Sequence, residues 1–104
     1  MTDRVAVAAW VPDLMDRSRF ASGTVFVARP EDLATVDADV VVVDLNKVGD
    51  PTRVQRGGSS PGRLIGFASH VDADVLVAAR AAGFDEALPR SAFFRRLGEL
   101  TAGG

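Results

Sequence analysis

Cysteine is absent from the 104 residues, so disulfide staples, thiolate metal sites and cysteine nucleophiles are excluded together. A dominant charge is also missing: twelve basic residues face fourteen acidic ones, without long blocks of one sign. Such a balance leaves no electrostatic footprint for nucleic acid or an anionic membrane, and neither is expected as a partner. No apolar run approaches the roughly 18 residues needed to span a bilayer. The opening "MTDRVAVAAWVPD" carries an early acid and no small-residue cleavage site behind an apolar core, so the expected location is the cytoplasm. Only one histidine is present, His70. It could serve as acid, base or ligand, but without a nameable partner it reads as a solvated loop side chain.

What is present suits one ordinary folded domain covering 1–104, since 47% of residues are apolar and 25% charged, enough for a core and a soluble surface. Residues 5–9, 24–28, 40–44, 64–68 and 86–88 read as strands. The first and third ("VVVVD") lack the alternation of a half-wet strand, so helices are expected on both their faces. Helical stretches are expected over 13–21, with Leu14, Met15 and Ser18 on one side, and over 30–36 behind Pro30. Two more are expected over 69–82, capped by Ser69 or Asp72 and closed by Gly83, and over 92–100, capped by Ser91. Residues 46–62 are the least regular, an expected loop with room for about two helical turns, and 101–104 should be a frayed tail. Strand alternating with helix predicts an α/β fold with a doubly wound, five-stranded parallel sheet.

In such a sheet chemistry collects beyond the carboxyl ends of the strands, near the point where strand order reverses. Asp44 is the one carboxylate directly at a central strand end. It could be a nucleophile or metal ligand, or an acid that solvates the rim and caps the next turn. The glycine cluster at 57–62 has the composition of a phosphate cradle but leads into a strand instead of out of one, the wrong end of the sheet for that role. "FFRR", 93–96, places two adjacent phenylalanines about 100° apart on a helix. Either one ring lies partly exposed for a partner or both belong to a wide apolar face.

The order of parts, over 4–100, resembles the receiver domain of two-component response regulators. "RVAVAAWVPDL" is similar to the family's opening strand and its continuation, "VVVVDL" to the strand bearing the phospho-acceptor aspartate, and "AARAAGFDEALPRSAFFRRL" to its last helix, strand and helix. The resemblance implies a flavodoxin-like fold with a third helix that is short or irregular. It places Asp44 at the phospho-acceptor position. The family's magnesium-binding acids fall on Ala9 and Trp10, its Thr or Ser on Ala68 with Ser69 one residue away, its aromatic switch on Ala87 and its lysine on Arg90. A degenerate, or pseudo-, receiver is implied, with no catalytic residue, bound metal or cofactor. Arg90 is expected to contact Asp44, and Trp10 to plug the former metal cleft or to offer its ring to a partner.

The leading expectation is therefore a stand-alone signalling or regulatory module that binds another protein, a second copy of itself among the candidates. Its face would be built by the fourth helix, fifth strand and last helix, with Arg80, Asp85, Glu86, Phe94, Arg95 and Arg96. The alternatives are a phosphorylatable receiver using Asp44 and a small-ligand-binding flavodoxin-like module with a cleft near Trp10 and Ser69.

Overall fold

The computed structural model describes residues 4–54 and 62–101. Valine-rich runs form its centre: β1 (Val5–Trp10) and β3 (Ala38–Asp44) pair in parallel from Val5 opposite Ala38 to Trp10 opposite Val43. Three further strands, β2 (Val25–Phe26), β4 (Arg63–Ala68) and β5 (Glu86–Pro89), complete one sheet. Its order is β2-β1-β3-β4-β5 and every pair is parallel. The chain leaves β1 toward one edge to make β2 and returns past it to make β3, so strand order reverses between β1 and β3. This is the doubly wound, flavodoxin-like α/β sandwich expected from the alternation of strand and helix.

Helices cover both sheet faces. One core joins Ala8, Val43, Leu64 and Ala68 to Leu33, Leu45, Val48, Leu76 and Phe84. The other joins Val7, Ala9, Val42, Ile65 and Phe67 to Phe20, Phe93, Phe94, Leu97 and Leu100. Buried on both sides, β1 and β3 had no wet face to alternate toward.

The helices are shorter than their sequence patterns. After β1, α1 spans only Leu14–Arg17, capped by the Asp13 carboxylate, which accepts from the backbone N–H of Met15 at 2.8 Å and of Asp16 at 3.1 Å. It turns the opposite way to expectation: Leu14 and Met15 are exposed at 74% and 80%, while Asp16 is buried. Pro30–Thr35 is a 3-10 helix. The third helix is indeed short: α2 (Leu45–Val48) stops at Gly49, whose φ of 74° suits glycine alone, and a 3-10 turn at Pro51–Arg53 follows. The rest of the expected loop, 55–61 with most of the glycine cluster, and the tail 102–104 lie outside the described residues.

Helix α3 (Ala73–Ala81) follows Asp72 and ends before Gly83, at φ 106°. Asp72 makes no side-chain cap, because its carboxylate accepts from the Asn46 side-chain amide at 2.8 Å. The last helix is two pieces, α4 (Arg90–Arg95) and α5 (Leu97–Leu100), broken at Arg96. Its start also differs from expectation: β5 runs straight into α4 at Pro89, leaving Ser91 inside the first turn instead of capping it. Among the described residues no helix is long and apolar enough to cross a membrane.

Candidate functional site

Asp44 ends β3 beside the point where strand order reverses. By strand alternation it shares a face with Val40 and Val42, which belong to the phenylalanine-rich core. Asp44 is 4% exposed, and its carboxylate caps α2, accepting from the Lys47 backbone N–H at 3.3 Å. Burial pushes its pKa above the usual aspartate value. Backbone N–H groups of Lys47 and Asn46 oppose that shift, the negative charge of Asp16 adds to it, and Arg90 counters it.

Arg90 is committed elsewhere than expected. Its guanidinium grips Asp16 with both terminal nitrogens, Nη1 donating to Oδ2 at 2.9 Å and Nη2 to Oδ1. The same group stacks near Phe67 and Phe94, at 5.6 and 5.0 Å from the ring centroids. Planar guanidinium matches carboxylate bidentately, and Asp16, as buried as Asp44 at 4% exposure, takes that pairing. Asp16 is the residue that sequence reasoning overlooked. No sequence signal marked it: α1 ends at Arg17, and the burial of Asp16 and of Phe20 beyond it emerges only in the fold.

Trp10 does not fill the space beside Asp44. Its indole packs with the aliphatic core on the other face of the sheet and donates Nε1–H to the Ala28 carbonyl at 3.3 Å. Ala9, Ala68 and Ala87 are fully buried and bring only methyl groups. Ser69 is tied down: its backbone N–H donates to Asn46 Oδ1 at 2.6 Å, so Asn46 staples the start of α2 to the loop after β4.

A divalent cation at Asp44 would need several hard oxygen ligands. The surroundings do not fit one: Ala9 and Trp10 offer no side-chain oxygen, and both oxygens of Asp16 are held by Arg90. No cluster of three or more His, Asp or Glu suited to a metal occurs among the described residues.

The expected interaction face is largely engaged in holding the fold. Arg80 donates to the Ala87 carbonyl at 2.7 Å, and Asp85 accepts from the Leu64 N–H at 2.8 Å. Glu86 pairs with Arg63 and, at 3.7 Å, with Arg96, which also bonds Glu99 at 3.2 Å. Phe94 is not a surface ring: it is 8% exposed and packs edge-on against Phe67 and Phe93. The wide apolar face is therefore the correct reading of "FFRR". Arg95 stays exposed.

Beyond Arg90 opens a cleft of about 470 Å³. Arg19, Arg90, Arg95, Ser69, Ser91 and Phe94 line it, with exposed His70 at its edge. Comparison with family models, with curated proteins and with solved structures gives no match for the chain.

Proposed function

We propose that the protein is a pseudo-receiver: a cytoplasmic regulatory module that takes no phosphoryl group and acts by presenting a fixed surface to another protein. The Arg90–Asp16 clamp carries this reading. In a switching receiver the cation after the last strand must be free to meet a new phosphoryl group; here it is bound bidentately to a buried carboxylate and flanked by two rings. Asp44 is desolvated, which disfavours the anion that would attack, and among the described residues it has no neighbours suited to a magnesium ion to neutralise the developing charge. Both features favour one conformation and binding over catalysis.

Incubation with acetyl phosphate and magnesium, followed by intact-mass measurement, tests the proposal. The expected spectrum is unchanged. A gain of one phosphoryl mass that disappears in Asp44→Asn would overturn it and restore the phosphorylatable reading.

A further inference from the structure

The cleft beyond Arg90 is basic among its described lining residues. The chain as a whole is net negative, at −2, yet among the described residues no acid lines this cleft while three arginines do. Arg90 has its charge answered by Asp16, and the bidentate pair uses two of the five N–H groups a guanidinium carries. Arg19 and Arg95 have no ion pair among the described residues; Arg17 and Arg80, which also lack one, donate instead to the Val11 and Ala87 carbonyls. Two unanswered positive charges thus face a concave space.

We propose that this cleft binds the phosphate group of a small soluble phosphomonoester, reversibly and without covalent chemistry. A tetrahedral dianion has three terminal oxygens and accepts hydrogen bonds from several directions at once. Donors here come from three separate parts of the chain: Arg19 just after α1, Ser69 just after β4, and Arg90, Ser91 and Arg95 on α4. A planar carboxylate would use one guanidinium fork and leave the others unanswered. Arg19, though exposed, has its guanidinium 4.0 Å from the centroid of the buried Phe94 ring, a contact that lowers the cost of ordering it on binding. The volume lies within the range of small-molecule sites, and its concavity suits a compact ester better than an extended phosphopeptide.

The reading is separate from the fate of Asp44, since the ligand is held by arginines and serines and not by that carboxylate. Amide chemical shifts should be followed by NMR while inorganic phosphate or glycerol 3-phosphate is added, with sodium chloride at matched ionic strength as reference. Saturable shifts centred on Ser69, His70, Ser91 and Arg95 are expected, retained in Asp44→Asn. Arg19→Ala/Arg95→Ala should weaken binding by at least about tenfold, since each loses a charge-assisted contact. The single Arg95→Gln variant should show a smaller loss, and the charge-matched control Arg29→Ala/Arg53→Ala should bind as the parent does. Shifts reproduced by chloride, or binding undiminished in both cleft variants, would overturn the site. Tighter binding of inorganic phosphate than of the ester, or binding of a phosphoserine peptide alone, would overturn the assignment to a small ester.

Discussion

Asp44 shows how one carboxylate can satisfy the fold and still burden it. Its cap on α2 stabilises the turn that follows, while its burial penalises the charged form. Because burial is the largest influence, the folded-state pKa stands above the unfolded one, the reverse of a salt-bridged acid. Between those two values the folded state holds more protons than the unfolded chain, so this group makes stability fall as pH rises through the window. Asn caps a helix about as well as Asp and carries no charge. Asp44→Asn is therefore expected to raise the urea midpoint at neutral pH and to lose that advantage once pH drops below the ordinary aspartate value. Paired denaturation curves across the acid range would check it; a neutral-pH midpoint below the parent's would contradict it. The position of Asp44 was legible in sequence because four valines announce the strand it ends. The partner of Arg90 was not, since an acid four residues before a buried phenylalanine looks the same as an acid on a wet face until the helix phase is known.

At the scale of elements, the strands were legible and the helices only in outline. A valine run buried on both faces can be little else at that length, whereas Leu14 and Met15 suggested an apolar stripe that α1, a single turn, does not use. Tertiary packing set its phase through Phe20 and Asp16. Helix α2 docks on β4 by another device that the pattern hides. A Cβ built at Gly66 would stand 2.6 Å from Leu45 Cδ1 and 2.7 Å from its Cγ, so the glycine makes room for the first residue of the helix. Gly66→Ala is expected to destabilise the fold by about 1–3 kcal/mol through overpacking. The penalty should fall short of adding to that of Leu45→Ala, because the double variant removes the collision; chemical denaturation of the four-member cycle measures this coupling.

Across the whole molecule the two faces of the sheet are filled by different chemistry. Val, Leu and Ala dominate one, with Phe84; the other gathers Phe20, Phe67, Phe93 and Phe94, with Phe26 packed against them. The rings of Phe67 and Phe93 stack at 4.8 Å between centroids, and Phe94 meets both edge-on. This aromatic face also supports the Arg90 clamp and the floor of the basic cleft. Phe93 is fully buried there, and Phe93→Ala should cost about 3–5 kcal/mol. That is a large part of the roughly 5–15 kcal/mol by which a domain is stable, so a steep loss of melting temperature is the expected readout. The fold class could be inferred before any coordinates because it depends on the alternation of elements. The cleft could not, because Arg19 lies far in sequence from Arg90 and Arg95 and only the fold brings it to them.

The single tryptophan has a use unconnected with any ligand. Trp10 lies at the end of β1, and its indole N–H reaches across to Ala28, just beyond the two-residue edge strand β2. With no tyrosine and no second tryptophan in the chain, its ultraviolet emission belongs to that one seam. The molecule thus carries an intrinsic optical gauge at its shortest strand pairing: fluorescence should register the edge peeling away even where circular dichroism still records an intact sheet.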